Sequence, residues 1–230
     1  MTPFRRRVVV VIPAHNEAAV IGQVIEGIPE IDGMETIALV VDDGSTDKTS
    51  QVAEAKGARV VRHIINLGVG AATRTGLRAA QAMDADVVVT IDGDGQHDPA
   101  EIPSLVRCLI DKNYDVVIGS RILQPAGMPA TRIAANLLLN AITFIVYRKV
   151  VSDSQSGFKA FSRSALQTIE LNSAGYEVCS EIIGEIVRNQ LSYKSLPVKA
   201  VYTTYSQAKG QHFLNGVNLI LQLFVRMLRP

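Results

Sequence analysis

Five short apolar runs in the first half of the chain alternate with segments whose apolar residues recur at helical spacing. The runs are rich in β-branched residues and have the length of buried strands. The alternation predicts an α/β fold, with a mostly parallel Rossmann-like sheet flanked by helices. The predicted strands are residues 8–12, 36–41, 59–62, 86–91 and 115–119, and the predicted helices between them are residues 17–28, 46–56, 70–83 and 99–112.

The pattern changes after Arg121. A loop rich in proline and glycine leads into a long apolar helix at residues 132–148, and a polar loop covers residues 152–159. A further helix is predicted at residues 176–189 and a short last strand at residues 199–202. No uninterrupted apolar run reaches about 18 residues, so the pattern predicts no segment that spans a bilayer.

Composition excludes several classes of protein. The 230 residues (24.8 kDa) suffice for one α/β domain with a large core. A net charge of +1 and few aromatic residues predict no nucleic acid partner. The two cysteines are too few for a disulfide framework, and the N-terminal segment lacks the pattern of a secretory signal. We therefore expect a cytoplasmic location.

Two carboxylates, Asp92 and Asp94, follow the strand predicted at residues 86–91. Ligands of open α/β sheets bind beyond the carboxyl ends of the strands. Two neighbouring acids repel one another, and a divalent cation between them removes the repulsion. Carboxylates, water and substrate phosphates are the ligands that Mg²⁺ and Mn²⁺ prefer, so the pair predicts a metal site. The alternative is a polar loop that caps the next helix, a role that we assign to Asp98 with Pro99 after it.

The other strand ends carry weaker signals. The first strand ends without the glycines of a dinucleotide-binding turn, which argues against such a site. After the second strand, Ser45 or Thr46 is a candidate cap for the next helix, with Asp47 in its first turn. Of the adjacent Asp42 and Asp43, only one easily points at a site, because neighbours on a strand face opposite ways. The glycines after the third strand permit close backbone approach to a ligand.

Six short motifs occur in order along the chain and together resemble those of the family 2 glycosyltransferases. They are Pro13-Ala14-His15-Asn16-Glu17, Asp42-Asp43-Gly44-Ser45, Asn66-x-Gly68-x-Gly70-Ala71, Asp92-x-Asp94-x-Gln96-His97-x-Pro99, Gly119-Ser120-Arg121 and Ser156-Gly157-Phe158. More narrowly, the chain resembles the polyprenyl-phosphate branch, which is dolichol-phosphate mannosyltransferase-like. The resemblance implies a GT-A nucleotide-sugar-binding fold over residues 1–211, with a nucleotide-sugar and metal half at residues 1–120 and an acceptor half at residues 121–205.

The resemblance also implies an activity and the residues that perform it. The implied enzyme is an inverting, metal-dependent glycosyltransferase that uses Mg²⁺ or Mn²⁺. It moves a hexose from a nucleotide sugar (GDP-mannose, UDP-glucose or UDP-GlcNAc) to a polyprenyl (dolichyl) phosphate. The implied nucleotide-sugar pocket contains Pro13, Glu17, Asp43 and Asp92, the implied metal ligands are Asp92, Asp94 and Gln96, and the implied acceptor-phosphate ligands are Arg121 and Arg132.

The region after the last strand lacks the arginine that relatives in the mannosyl branch carry in a mobile loop. Lys209 is the cation left there to close over the diphosphate. An acceptor phosphate is largely ionised at pH 7, because its second pKa is about 6. No dedicated general base is therefore assigned, and Asp94 is the nearest alternative.

The end of the chain, residues 212–230, has the pattern of an amphipathic helix. A narrow stripe of polar residues, which includes Asn218, Gln222 and Arg226, is surrounded by apolar positions. The helix predicted at residues 132–148 has a similar pattern. Such helices can lie in the bilayer interface, so we expect a peripheral protein on the inner face of the membrane. A core helix, or the interface of a homo-oligomer, explains each helix equally well when it is considered singly.

Two other functions fit part of the pattern. The run Asp92-Gly93-Asp94-Gly95 after an apolar strand also resembles the first motif of haloacid-dehalogenase-like phosphatases. That family requires threonine or valine where Gln96 stands, and it places the motif near the start of the fold. A non-catalytic nucleotide-sugar-binding protein would retain the same fold. Transfer of sugar, release of inorganic phosphate and binding alone distinguish the three.

Overall fold

The structure, a computed structural model, describes residues 5–201. Lys209 and the helix predicted at residues 212–230 lie outside the described residues. Seven strands are present in this part of the chain: β1 (Arg6–Ala14), β2 (Met34–Asp42), β3 (Arg59–Arg62), β4 (Val87–Thr90), β5 (Val116–Ser120), β6 (Lys159–Ser162) and β7 (Tyr193–Pro197). The helices are α1 (Ile21–Glu26), α2 (Thr49–Ala55), α3 (Val69–Ala82), α4 (Ile102–Asp111), α5 (Ala130–Tyr147), α6 (Arg163–Thr168) and α7 (Val178–Arg188), with a 3₁₀ turn at Pro99–Glu101 before α4.

The strands form one mixed, mostly parallel sheet in the order β3-β2-β1-β4-β6-β5-β7. The first four strands in this order are parallel, as are β5 and β7. The exception is β6, which is antiparallel to both of its neighbours, β4 and β5. The carboxyl ends of β1, β2, β4 and β5 therefore meet at the same edge of the sheet, where the sequence motifs begin.

The core lies on both faces of the sheet because the strands at its centre are buried on both sides. Along β1, Val8, Val10 and Ile12 pack on one face with apolar residues of α1 and α4. Val9 and Val11 pack on the other face with residues of α3 and α7. This two-sided burial explains why β1 and β4 are nearly continuous apolar runs instead of alternating ones.

The predicted parallel half is confirmed, and the errors lie in the second half. All five predicted strands are present, and Asp98 caps the 3₁₀ turn through its bond from the Ala100 N–H (3.0 Å). The first helix begins later than predicted, at Ile21, because residues 17–20 form a turn. The sequence did not predict β6, α6 or β7. Of the strand predicted at residues 199–202, the described part contributes a single bridge, between Ala200 and His97.

The expectation that no segment is long enough to span a bilayer is wrong by the measure of length and composition. Within residues 5–201, α5 is an 18-residue helix that is apolar enough to cross a membrane. Asn136, Asn140 and Thr143 interrupt the run, but the apolar residues between them dominate the average. Only 6% of this helix is buried inside the protein.

Candidate active site

The acidic pair lies in the turn that follows β4, at the edge of the sheet where the parallel strands end. Gly93, between the two acids, packs closely on the end of β1, since a Cβ at this position would lie 3.0 Å from the Pro13 carbonyl oxygen. The structure therefore brings the first and fourth strand ends together, as the sequence predicts. Both carboxylates are partly exposed, and 38% of the Asp92 side chain remains accessible from the cleft.

Asp94 is hydrogen-bonded to Gln96, which the sequence analysis also predicts as a metal ligand. The backbone N–H of Gln96 donates to Asp94 Oδ1 (3.0 Å), and its side-chain Nε2 donates to Oδ2 (2.6 Å). A half-turn of the Gln96 amide would place its oxygen beside the carboxylate instead. As observed, Asp94 accepts two hydrogen bonds from Gln96, one from its backbone and one from its side chain.

Asp92 lies in an environment that disfavours its charge. Desolvation of the partly buried carboxyl and the neighbouring charge of Asp94 raise the pKa of Asp92 to about 6, and Glu17 acts in the same direction. Arg121 and Lys159 oppose the shift. Glu17, in the β1–α1 loop, is therefore within electrostatic range of Asp92. A bound cation would offset the repulsion that Asp92 experiences from the neighbouring carboxylate.

Arg121 forms a buried ion pair that the sequence did not predict. Its Nε and Nη2 donate to the two oxygens of Asp153 (2.9 and 3.0 Å), and its backbone N–H donates to Oδ2 (3.1 Å). Asp153 is fully buried, and 13% of the Arg121 side chain is exposed. Burial opposes ionisation of Asp153, but the charge and hydrogen bonds of Arg121 outweigh it and lower the pKa of this carboxyl. The guanidinium is consequently fixed in position beside the acidic pair.

Asp43, predicted to bind the nucleoside, already accepts several hydrogen bonds from the chain. The N–H groups of Leu67 (2.9 Å) and Gly68 (2.7 Å) donate to its two oxygens, and the His63 ring lies 2.7 Å from Oδ1. The Asp43 side chain is 4% exposed. Asp43 therefore joins the end of β2 to the loop after β3.

Asn16 joins the loops after β1 and β2. It adopts a left-handed conformation (φ 55°), which asparagine tolerates better than most residues. Its Oδ1 accepts the N–H of Thr46 (2.8 Å), and its own N–H donates to Ser45 Oγ (2.9 Å). The two loops that flank the predicted nucleoside pocket are thus held together by hydrogen bonds.

The prediction that Ser45 or Thr46 caps α2 is wrong. The helix begins at Thr49, so Ser45 and Thr46 lie too far upstream to cap it. Asp47 accepts the N–H of Thr49 (2.9 Å) instead. Asp42 accepts the Ser45 N–H (2.9 Å) and the Ser50 hydroxyl; although burial opposes ionisation, these bonds lower the pKa of Asp42.

The glycines after β3 approach another segment of the chain. A Cβ at Gly68 or Gly70 would lie within 2.5 Å of a backbone carbonyl oxygen of the loop that precedes α7. The Ala174 carbonyl accepts the Gly70 N–H (2.7 Å), and Glu181 of α7 accepts the Ser173 N–H (2.9 Å). The close approach that the sequence predicts for a ligand is therefore used by the protein, and it joins the two halves of the chain.

Three further residues near the acidic pair were not predicted as site residues. Tyr176, 45% exposed, has a raised pKa because of burial and the charges of Asp92 and Asp94. Lys159 is fully buried. His97 is also buried, and burial lowers its pKa to about 3, so the imidazole is neutral. The signals available in the sequence were a lysine between Phe158 and Ala160 and a histidine next to the predicted metal motif.

Most of the predicted site residues lie at this edge of the sheet, and the exceptions are Arg132 and Lys209. Arg132 lies in the first turn of α5, and Lys209 is outside the described residues. Within residues 5–201, no group of three or more His, Cys, Asp or Glu side chains is arranged to hold a metal ion. The donor set of two carboxylates and an amide nevertheless fits Mg²⁺ or Mn²⁺, which commonly complete their shell with water and substrate phosphates.

Comparison with known proteins agrees with this geometry. The family model described as glycosyl transferase family 2 matches residues 9–170. The UDP-N-acetylglucosamine–dolichyl-phosphate N-acetylglucosaminyltransferase of Methanococcus voltae is 35% identical over 94% of this chain and 94% of its own. The polyprenol monophosphomannose synthase of Mycolicibacterium smegmatis is 28% identical over 95% of this chain and 85% of its own.

A solved structure shows the same architecture. Glucosyl-3-phosphoglycerate synthase from Mycobacterium tuberculosis, in complex with Mn²⁺, UDP and glucosyl-3-phosphoglycerate, superposes with a TM-score of 0.73. It is 26% identical, and the match covers 98% of this chain and 81% of that one. The mixed, mostly parallel sheet is thus a GT-A fold, and the phosphatase alternative is wrong. The chain belongs to glycosyl transferase family 2, as a glycosyltransferase of its polyprenyl-phosphate branch.

Proposed function

We propose that this protein transfers a hexose from a nucleotide sugar to a polyprenyl (dolichyl) phosphate, with inversion at the anomeric carbon. The observation that carries the proposal is the juxtaposition of the Asp92–Asp94 pair with the buried Arg121–Asp153 pair. The first is a site for a metal-bound diphosphate, and the second presents a fixed guanidinium to a second phosphate. The candidate donors are GDP-mannose, UDP-glucose and UDP-GlcNAc, and the name of the Methanococcus relative favours UDP-GlcNAc.

Asp92, Asp94 and Gln96 would hold Mg²⁺ or Mn²⁺. When bound, the cation neutralises charge on the departing nucleoside diphosphate. Glu17 and Pro13 at the end of β1, and Asp43 at the end of β2, would line the nucleoside side of the cleft. A carboxylate in this position accepts hydrogen bonds from ribose hydroxyls or from a base N–H. Lys209 remains our candidate for the cation that closes over the diphosphate.

Arg121 would bind and orient the acceptor phosphate, with Arg132 as a second ligand. The planar guanidinium can donate two parallel hydrogen bonds to phosphate oxygens, and its pairing with Asp153 restricts its rotation. Because the phosphate oxygen is ionised at neutral pH, proximity to the anomeric carbon supplies most of the help that the nucleophile needs. No residue is therefore assigned as a dedicated base.

The orientation of α5 supports attachment to a membrane surface. Its polar residues face the protein, because Asn140 bonds the 152–154 loop (2.7 and 2.8 Å) and Thr143 is buried. Its apolar residues face outward, with Leu137, Leu138 and Ile145 each about half exposed. This is the reverse of a helix on a protein surface in water, and it suits the interface of a bilayer. We propose a peripheral location on the cytoplasmic face, where the lipid-linked acceptor is also present.

A transfer assay tests the function. Purified protein would be incubated with each labelled nucleotide sugar, vesicles that contain polyprenyl phosphate, and Mn²⁺, Mg²⁺ or EDTA. We expect one donor to yield labelled lipid, and EDTA to prevent its formation. Omission of the polyprenyl phosphate, with the same vesicles, is the control for adventitious hydrolysis.

Three outcomes separate the proposals. Labelled lipid supports the transferase. Release of free sugar without lipid product would move the activity to a different acceptor. Binding of a nucleotide sugar with no turnover under any metal condition would instead indicate a non-catalytic binding protein.

A further inference from the structure

The motif Ser156-Gly157-Phe158, followed by Lys159, has no role in the proposed chemistry, yet it lies against Asp92. These residues form the turn that leads into β6, and they are named here the 156–159 turn. A Cβ built on Gly157 would lie 2.3 Å from Asp92 Oδ1 and 2.4 Å from Oδ2. Real Cβ atoms do not approach a carboxylate so closely, so the position of Asp92 depends on the missing side chain at Gly157.

Two hydrogen bonds hold this turn in place. Thr90, the last residue of β4, donates its hydroxyl to the Gly157 carbonyl (2.7 Å). The ammonium of Lys159 donates to the Ser156 carbonyl, and the Lys159 side chain is fully buried. A buried ammonium is costly unless it is compensated by hydrogen bonds and nearby negative charge. The carboxylate of Asp92 is within electrostatic range of Lys159 and is stabilised by it.

A third contact comes from the ring of Phe158. It packs on the imidazole of His97, with the ring centroids 5.2 Å apart. This contact leaves His97 Nε2 at 3.7 Å from Asp92 Oδ2, which is beyond direct hydrogen-bond distance. The turn therefore surrounds the inner side of Asp92 with a backbone, a buried cation and a neutral ring, while the outer side faces the cleft.

From this geometry we infer that the 156–159 turn positions the Asp92 carboxylate for a metal-bound nucleotide sugar, with Gly157, Thr90 and Lys159 as positioning residues. The inference rests on the proposed function, since it assumes that Asp92 binds the metal and donor. It assigns to the second half of the chain a part in donor binding. Groups that orient a metal-ligating carboxylate contribute to affinity without touching the metal.

Gly157→Ala is the most direct test, with Gly22→Ala as the matched control. In α1, a Cβ at Gly22 would meet only side-chain atoms, the nearest 3.3 Å away. Binding of Mn²⁺ in the presence of UDP and, separately, GDP would be measured by electron paramagnetic resonance on the full chain. We expect Gly157→Ala to weaken Mn²⁺ binding about tenfold or more, and Gly22→Ala to leave it unchanged.

A second pair of variants keeps the test valid if Gly157→Ala fails to fold. Thr90→Val removes the hydroxyl and keeps the β-branched shape, whereas Thr90→Ser keeps the hydroxyl. We expect Thr90→Val to shift the Mn²⁺ dependence of transfer to higher concentration without changing the KM for polyprenyl phosphate, and Thr90→Ser to recover most of the affinity. A general loss of folding would affect both substrates, so this split identifies positioning.

The possible failures are distinguishable. A wild-type chain that binds no Mn²⁺ with either nucleotide contradicts the proposed function, and the inference with it. A wild-type chain that binds Mn²⁺, together with Gly157→Ala or Thr90→Val variants that fold and bind it equally well, overturns the inference alone.

Discussion

The proposed donor half and the proposed acceptor half of the site are stabilised in different ways. Around the donor cleft, buried or half-buried polar side chains bond to neighbouring loops: Asn16 to the 45–47 segment and Asp43 to the loop after β3. In the acceptor half, α5 turns its polar side chains inward and its apolar ones outward. The polar groups named around the donor cleft have hydrogen-bond partners within the protein. By contrast, α5 exposes apolar side chains, which is unfavourable in water.

The difference follows from the two proposed substrates. A nucleotide sugar is polar and leaves water to bind, so its site needs donors and acceptors fixed in advance. A polyprenyl phosphate has a polar head and a tail that remains in the bilayer, so the protein needs to bind only the head and approach the lipid. Arg121, held by Asp153, is placed where the two regions meet.

The largest expected effect is on the donor side. Asp94→Asn removes one charge from the proposed metal site with little change of shape. We expect transfer to fall about 100-fold or more, because that charge would bind the cation that stabilises the leaving group. Turnover and Mn²⁺-dependent donor binding would be measured together. Asp98→Asn is the matched control, since asparagine caps a helix about as well as aspartate. Wild-type turnover in Asp94→Asn would refute the metal role.

The next largest effect is expected at the ion pair of Arg121 and Asp153. Arg121→Ala leaves Asp153 buried without its guanidinium, and we expect a loss of about 3 kcal/mol in the free energy of unfolding. Urea unfolding measures this loss. The double variant Arg121→Met/Asp153→Asn removes both charges, so it should recover much of the stability but not the use of the acceptor.

Donor affinity distinguishes a role of Arg121 in acceptor binding from a role in nucleotide binding. We expect calorimetry to give the double variant a near-normal affinity for the nucleotide sugar and a raised KM for polyprenyl phosphate. A large loss of donor affinity would instead place Arg121 in the nucleotide site.

The acceptor surface can be disrupted without touching the cleft. Leu137→Glu combined with Leu138→Glu introduces two charges on the outward face of α5, and we expect binding to vesicles to fall about tenfold or more, since each leucine loses its apolar contact with lipid. Vesicle flotation is the measurement. Val187→Glu on α7, also at an exposed apolar position, is the control. Unchanged flotation would favour a dimer interface, which sedimentation velocity would detect.

Features that depend on a local pattern could be predicted from the sequence, and contacts between distant segments could not. The parallel strands and their acidic ends were predictable because each strand is an apolar run followed by its own loop. β6 was missed because it has only four residues, begins with a buried lysine, and inserts antiparallel between β4 and β5. The motifs identified Arg121 and Gly157, but their contacts with Asp153 and Asp92 join segments far apart in sequence. Local patterns carry no information about such pairs.

The smallest predicted effect is on the free energy of unfolding without metal, which the charge of Asp92 lowers. The pKa of Asp92 is raised to about 6, so its charge is more favourable in the unfolded chain than in the folded one at neutral pH. The resulting loss of stability is absent well below the unfolded pKa of about 3.9 and complete above the folded value. With EDTA present, Asp92→Asn should therefore raise the free energy of unfolding at pH 7.5 by about 1 kcal/mol, after allowance for the partial exposure of Asp92.

At pH 4 most of the gain should disappear, and with Mn²⁺ and nucleotide the wild type should become the more stable protein. Calorimetric unfolding at the two pH values tests this, and an equal gain at both would show that the charge of Asp92 is not its cause.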